Sequence, residues 1–173
     1  GVVTFATGTS PIMLVNGSVA WTAGTTVFSG AIFAFTFTGA GTKTITTNGT
    51  TIPGNPTNLS IGTYNLGSAL TTLANISGNG TLNTNNYALT VGGIFNSGTM
   101  NWGSSTVTSG GLNVFSSSLT LNAGTSQLNC TSSTAVLTVA GIPSLTFYNV
   151  AFTSTAVGVK AINNVNTFNN LSV

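Results

Sequence analysis

The chain has 173 residues, of which 41% are hydrophobic, and two lysines give it a formal net charge of +2. An average soluble chain is about a quarter Asp, Glu, Lys and Arg, whereas this one contains no Asp, Glu or His. The composition therefore predicts no catalysis by carboxylate or imidazole groups, no zinc site and no basic surface for nucleic acid, but it leaves enough apolar residues for a folded core.

The first part of the chain, residues 1–65, is less regular than the rest. It opens with Gly1 and has neither an initiator methionine nor the charged segment that begins a signal peptide. Its longest apolar run, residues 31–35, is far shorter than the roughly twenty residues that a membrane-spanning helix needs. The Pro-Gly-Asn-Pro sequence at residues 53–56 indicates a loop or a boundary. We therefore expect a single all-β segment over residues 1–173, with no membrane span.

The remainder, residues 66–173, consists of short alternating runs that are typical of β-strands. Apolar and polar residues alternate at residues 88–91, 119–121, 136–139 and 145–147. Each run is followed within a few residues by Gly, Asn or Ser, which favour turns. No window sustains the i, i+3, i+4 apolar spacing of a helix. Short, evenly spaced strands of this kind predict a regular all-β repeat.

A repeat can be found directly. Three segments share the order apolar residue, turn, glycine, hydroxyl-bearing residues, apolar residue, and they occupy residues 19–27, 100–107 and 119–128. A second signature, Phe-x-Asn-apolar-x-apolar, begins at Phe147 and returns 21 positions later at Phe168. Apolar residues can also be chained at similar intervals, in the series Leu82, Trp102, Leu121, Val139 and the series Val107, Leu128, Phe147, Phe168. The intervals predict a period of about 20 residues.

Such a period matches one coil of a three-sided parallel β-helix, also called a β-solenoid, with three short strands joined by turns. Alternate residues of each strand would point inward and stack on similar residues of the next coil, while Thr and Ser would point outward. Asn and Gly would occupy the corners, because both tolerate left-handed backbone, and Asn amides would form ladders between coils. The alternative fold is a β-sandwich or jelly roll, which also uses short alternating strands.

Several segments also resemble a known class of repeat. Gly-, Thr- and Asn-rich motifs occur at residues 80–83, 89–93, 95–99, 103–107, 121–126 and 167–171. They are similar to the degenerate repeats of bacterial adhesin-like surface proteins and of phage tail-fibre or virion appendage proteins. The resemblance covers residues 66–173 and implies a parallel β-helix in an extracellular or virion fibre. It brings no catalytic or binding residue to this chain.

The chain offers few groups for chemistry. Cys130 lies in an alternating segment and has no histidine to activate it, so it is predicted to be a buried strand residue rather than a nucleophile. Lys43 and Lys160 are expected to be solvated, and residues 39–43 lack the full spacing of a phosphate-binding loop. Hydroxyl groups without a neighbouring base are weak nucleophiles. We therefore expect no enzymatic activity, and we assign no catalytic, cofactor-binding or metal-binding residue.

One sharper binding hypothesis concerns threonine. Pairs of the form Thr-x-Thr would form an ice-binding face if they were stacked one per coil, and such pairs start at Thr36, Thr42, Thr44 and Thr106. They do not recur once per repeat, and Thr is in any case a common strand residue. The sequence therefore does not predict ice binding.

The sequence as a whole predicts a non-enzymatic structural or adhesive segment of an extracellular or virion fibre, such as a phage tail fibre, an appendage or a surface filament. We expect it outside the cell, with any targeting segment removed or lying beyond this chain. The expected partners are other copies of the chain, neighbouring fibre or virion proteins, and surface glycans contacted by Tyr and Trp. Two alternatives stay open: a subunit of a self-assembling filament with a sandwich fold, and a carbohydrate-binding module with a shallow aromatic cleft.

Overall fold

The computed structural model is built from β-strands alone in the part of the chain that it describes. The described residues are 3–5, 12–21, 26–28, 34–52, 57–96, 98–115, 118–133, 136–139, 145–155, 161–163 and 167–173. The predicted loop at residues 53–56 and the predicted solvated Lys160 lie outside them.

The strands form three long parallel sheets and one small one. Sheet I contains β2 (Ile12–Val15), β5 (Ala34–Phe37), β8 (Thr57–Leu59), β11 (Asn75–Gly78), β14 (Gly93–Asn96), β17 (Leu112–Phe115), β20 (Val136–Val139) and β22 (Ala161–Asn163). Sheet II contains β3 (Val19–Ala20), β6 (Thr42–Thr46), β9 (Thr63–Leu66), β12 (Thr81–Asn83), β15 (Thr99–Asn101) and β18 (Thr120–Asn122). Sheet III contains β7 (Thr51–Ile52), β10 (Leu70–Thr72), β13 (Leu89–Val91), β16 (Thr106–Ser109), β19 (Gln127–Cys130), β21 (Thr146–Phe152) and β23 (Thr167–Ser172). The small sheet pairs β1 (Val3–Phe5) with β4 (Thr26–Phe28).

From β5 to β19 the chain visits sheets I, II and III in turn, so that each set of three strands is one coil of a β-solenoid. Five coils, from β5–β7 to β17–β19, have all three strands among the described residues. Within them, paired residues of adjacent coils are 18 to 22 positions apart in the sequence. The predicted parallel β-helix with coils of about 20 residues is confirmed. A sandwich or jelly roll is excluded because these pairings are parallel and follow the coil order.

The observed register confirms some of the predicted repeats. Phe147 pairs with Phe168, and the Phe, Asn and first apolar positions of the Phe-x-Asn-apolar-x-apolar signature are in register across β21 and β23. Residues 100–107 and 119–128 also align, because β15 pairs with β18 and β16 pairs with β19. The segment at residues 19–27 is described only in part, at residues 19–21 and 26–27.

The two chained series of apolar residues were partly wrong. Leu82 pairs with Met100, which in turn pairs with Leu121, so Trp102 is not in that stack. Leu128 pairs with Val150 rather than with Phe147. The first error displaces the register by two positions, which a pattern of period two cannot detect because residues two apart point to the same side of a strand. The second displaces it by three positions, and it arises because β21 buries both Phe147 and Val150. Val139 was wrongly placed in the same series as Leu121 for a different reason, since it belongs to sheet I whereas Leu121 belongs to sheet II.

The core is a single column of inward-pointing side chains. Buried and half-buried residues alternate along β5 and β9, as expected for strands with one face on a core. The largest fully buried side chains include Trp102, Tyr64, Phe35, Phe37 and Phe147. Because each coil packs on the coils beside it, apolar burial is spread along the solenoid and is not concentrated at one centre.

Several buried hydroxyl groups inside this column have protein partners. The Tyr64 hydroxyl donates to the carbonyl oxygen of Phe37 at 2.7 Å. The hydroxyls of Thr57 and Thr72 are 3.0 Å apart, and the Ser105 hydroxyl donates to that of Thr84 at 2.7 Å. Each pair joins segments that are distant in the sequence, so these hydroxyls are satisfied without water.

The corners are formed by Asn and Gly, as the sequence predicted. The residues with φ between +48° and +65° are Asn48, Asn85, Asn86, Gly103 and Gly124. The corner side chains also bind neighbouring coils: the Asn85 amide donates to the Leu66 carbonyl at 3.0 Å, and the Ser104 amide donates to Asn86 Oδ1 at 2.9 Å. Left-handed backbone of this kind is least costly for Gly and Asn.

Candidate functional site

The most regular surface is the outer side of sheet II. The tripeptide Thr-apolar-Asn occurs in four successive strands of this sheet, beginning at Thr63, Thr81, Thr99 and Thr120. The central residue is inward, so the Thr and Asn side chains point outward. We call this surface the Thr–Asn face and define it by its two rows: Thr42, Thr63, Thr81, Thr99, Thr120 and Thr44, Asn65, Asn83, Asn101, Asn122. Strand pairing holds both rows in register across five coils.

The asparagines of the second row form a directional amide ladder. Asn83 Nδ2 donates to Asn65 Oδ1 at 2.6 Å, Asn101 Nδ2 donates to Asn83 Oδ1 at 2.5 Å, and Asn122 Nδ2 donates to Asn101 Oδ1 at 2.6 Å. The sequence predicted Asn ladders but associated asparagine with the corners, whereas this ladder lies on the strands. Strand positions suit it better, because the spacing between paired strands brings equivalent amides within hydrogen-bonding distance.

The threonines of the first row differ from this ladder. Their hydroxyl groups make no hydrogen bond to the described part of the protein. Thr42 and Thr120 are exposed, and Thr63, Thr81 and Thr99 are partly exposed. The row therefore presents hydroxyls that are held in position by the sheet and are open to a ligand.

No charged side chain of the described residues lies on the Thr–Asn face. Lys43 is on β6 between Thr42 and Thr44, but it is in register with the inward residue Tyr64. Its side chain therefore leaves the strand on the opposite side, where it is half-buried. Lys43, which was predicted to be solvated, is thus only partly exposed, because strand alternation places it on the inward side of β6.

The Thr-x-Thr pairs of the sequence do not form this face, apart from Thr42 and Thr44 on its first strand. They are distributed over all three sheets, with Thr36 on β5, Thr42 and Thr44 on β6, and Thr106 on β16. The sequence search for Thr-x-Thr missed the face because four of its five strands carry Asn two positions after the threonine. The signal that would have found it is Thr-apolar-Asn, which recurs after 18, 18 and 21 residues.

A second surface feature is an aromatic groove of about 410 Å³ beside β18, β21 and β23. Its lining is Leu121, Ala123, Gly124, Thr146, Phe147, Tyr148, Thr167, Phe168 and Asn169. Phe147 and Phe168 stack with ring centroids 5.7 Å apart at an angle of 16°. Tyr148, Thr146 and Asn169 are exposed. The groove therefore combines an apolar floor with an uncharged polar rim, which is the usual composition of a small-molecule site.

Cys130 is buried in β19, which confirms the prediction of a buried strand residue. Burial raises the pKa of its thiol to about 11. Because the thiolate is the nucleophilic form of cysteine, this environment makes the side chain unreactive at neutral pH. The described residues contain no group of three or more His, Cys, Asp or Glu side chains that could hold a metal ion.

We expect a flat stability profile from about pH 4.5 to pH 7.5, because no side chain of the chain titrates in that window. Above pH 9 the free energy of unfolding should fall. The unfolded chain then ionises Cys130 from an ordinary pKa of 9.0, whereas burial keeps the folded thiol protonated up to about pH 11. Burial also raises the pKa of Tyr64. The unfolded state binds fewer protons in this range, so stability decreases as the pH rises.

Urea denaturation at intervals between pH 4.5 and pH 11 measures this profile. Cys130→Ala is the matched control, because it should remove part of the alkaline decrease without altering the flat region. A midpoint that moved appreciably between pH 5 and pH 7 would contradict the prediction.

The described residues contain no helix long and apolar enough to cross a membrane. Comparison of the chain with protein-family models, with curated proteins and with solved structures finds no significant match.

Proposed function

We propose that the chain is a non-enzymatic structural and adhesive segment of an extracellular or virion fibre, such as a phage tail fibre, an appendage or a surface filament. The observation that supports this most is the parallel register of the five coils from β5 to β19 around one apolar column. In such a solenoid each coil contacts only its neighbours, so the architecture suits a spacer of defined length.

The composition supports a role without catalysis. Acid–base and metal-assisted reactions depend on side chains that are absent from the whole sequence, namely Asp, Glu and His. The one thiol is buried and has a raised pKa. What the surface does offer is an array of uncharged hydroxyl and amide groups, which suits contact with other surfaces better than chemistry.

Immunogold electron microscopy tests the proposal. Antibodies raised against the purified chain would be applied to intact source cells and to the virus-like particles that they release. Label along fibres or appendages, outside the cell envelope, is the expected result. Label confined to the cytoplasm of sectioned cells would overturn both the fibre role and the extracellular location.

The aromatic groove favours carbohydrate binding as a second function. Pyranose rings bind with their apolar face on an aromatic side chain and their hydroxyls on uncharged polar groups, and the groove provides Phe168 and Tyr148 for the first and Asn169 and Thr146 for the second. Because no charged side chain lines it, the groove suits neutral sugars.

A glycan array with the purified chain measures this directly. Binding to neutral glycans that is reduced at least tenfold by Tyr148→Ala is the expected result. Tyr87→Ala is the matched control, since Tyr87 is also exposed but lies away from the groove. Equal loss in the two variants, or no binding at all, would remove the carbohydrate function and leave the fibre role standing.

A further inference from the structure

We infer that the Thr–Asn face is a binding site for crystalline water, that is, for the surface of ice. The inference goes beyond the fibre role and rests on the geometry of sheet II alone. Two rows of side chains cross five coils in register, which gives a grid of ten positions.

The grid is regular in two directions. Adjacent coils of a β-sheet lie about 4.8 Å apart, and side chains on the same face of a strand recur about every 6.7 Å along it. The face therefore repeats every few ångströms in both directions, over about 20 Å along the solenoid. A ligand that matches it at more than one or two positions must itself be periodic at this scale, as a crystal face is.

The side chains are also held in place before a ligand arrives. The ladder between Asn65, Asn83, Asn101 and Asn122 fixes each amide by hydrogen bonds of 2.5 to 2.6 Å. Each amide in the ladder keeps at least one N–H and at least one acceptor lone pair, and each threonine of the first row keeps an unpaired hydroxyl. Groups that are already ordered lose little conformational entropy when they bind, so they can hold a layer of water in a fixed pattern.

The face is poorly suited to other ligands. It carries no charge, so it offers no attraction to ions, nucleic acid or an acidic partner. It carries no aromatic side chain on which a sugar ring would stack, unlike the aromatic groove. Its apolar atoms are the methyl groups of threonine, which provide too little contiguous apolar area for a protein partner.

The other two sheets lack this grid, so a variant on one of them can serve as an internal control. Sheet III has outward rows of unlike residues, since Thr106 is in register with Gln127 and Asn149, and Thr108 is in register with Asn129 and Ala151. Its one row of like residues is Thr51, Thr71, Thr90 and Thr108, and it has no second row of like residues beside it. Sheet I has unlike residues in register, with Thr36 beside Asn58 and Asn58 beside Ser77. Among the described residues, sheet II is the sheet in which one row is entirely threonine and the adjacent row is asparagine in four of its five strands, so the property is assigned to that sheet.

The experiment uses the purified full chain in thermal hysteresis and ice-recrystallisation assays. The wild-type chain is expected to inhibit recrystallisation and to separate the melting and freezing points of a seeded ice crystal. Thr81→Tyr combined with Thr99→Tyr should reduce both activities at least tenfold, because the bulky rings lift the crystal from the grid. Tyr is a good strand residue, so these outward substitutions should leave the fold intact, which circular dichroism checks.

Thr90→Tyr is the matched control, because it places the same bulk on the exposed surface of sheet III and should leave both activities unchanged. Absence of activity in the wild-type chain, or equal loss in the sheet II and sheet III variants, would overturn the inference. Retention on crystalline cellulose or chitin without any effect on ice would also overturn it and reassign the grid to a crystalline polysaccharide. None of these outcomes bears on the immunogold test, so the fibre role and the ice face can fail separately.

Discussion

Replacing Trp102 with alanine should lower the free energy of unfolding by about 3–5 kcal/mol, the usual range for deleting a large buried aromatic side chain. Trp102 is fully buried and is the largest side chain of the core. Its ring centroid lies 6.3 Å from that of Phe147, so it joins the fourth coil to the later strands of sheet III. Alanine would leave a cavity inside a column whose walls are parallel sheets, and such walls collapse poorly because each strand is paired on both sides.

Trp102→Phe separates the packing of the ring from its polar group. The indole Nε1 is buried and makes no hydrogen bond within the described part of the protein. An unpaired buried donor costs about 1–3 kcal/mol, and phenylalanine removes that cost while filling most of the space. We therefore expect Trp102→Phe to lose no more than about 2 kcal/mol. Urea denaturation followed by circular dichroism measures both variants, and equal losses of stability in the two would contradict this expectation.

The second large effect is expected at a corner glycine, where Gly124→Ala should lose about 2–5 kcal/mol. Gly124 has φ = +59°, and a methyl group at its Cα would run into the carbonyl oxygen of Gly103 on the preceding coil. One part of this loss is the strain of placing alanine in the left-handed backbone conformation, about 1–2 kcal/mol. The other part is the collision of its methyl group with backbone. Backbone cannot rotate away as a side chain would, so the two coils must separate locally.

Substitutions at two other glycines separate the cost of backbone strain from the cost of the collision. Gly49 has φ = +84°, but a methyl group at its Cα would have no atom within 4 Å, so Gly49→Ala should show only the strain of about 1–2 kcal/mol. Gly17 has neither feature, so Gly17→Ala should be neutral or slightly stabilising, by up to about 1 kcal/mol. Chemical denaturation should therefore rank the losses as Gly124, then Gly49, then Gly17. A loss at Gly49 as large as that at Gly124 would mean that coil-to-coil contact is not what demands glycine there.

The fold class could be predicted because the determinants are local. Alternation at residues 88–91 and 136–139 recurs in β13 and β20, each within one residue of the predicted bounds. The turn residues are equally local, since Asn85 and Gly103 adopt the left-handed backbone that their residue types favour. The length of each coil is not determined by the local sequence pattern, because it varies from 18 to 22 residues with the size of the corners. The stacking partner of Leu82 therefore could not be read from a constant period.

The Thr–Asn face was harder to predict for a related reason. The ladder partners Asn65 and Asn83 are 18 positions apart, whereas Asn101 and Asn122 are 21 apart. A single fixed interval aligns one pair and misaligns the other. A search for Thr-apolar-Asn with variable spacing finds these four strands, because the tripeptide is set by strand alternation and the spacing is set by the corners. It also finds residues 167–169 on β23 of sheet III.

The register of sheet II also bears on how this protein can change over evolutionary time. Thr63, Thr81 and Thr99 occupy equivalent positions, and each is followed by the same kind of inward and outward residue. A duplication or loss of the 18 residues between two of them would join chemically matching ends and leave the neighbouring coils with suitable surfaces on both sides. Length can thus be gained or lost one coil at a time without redesigning a core. The near-identity of these strands is what tandem duplication of a single ancestral coil would leave behind.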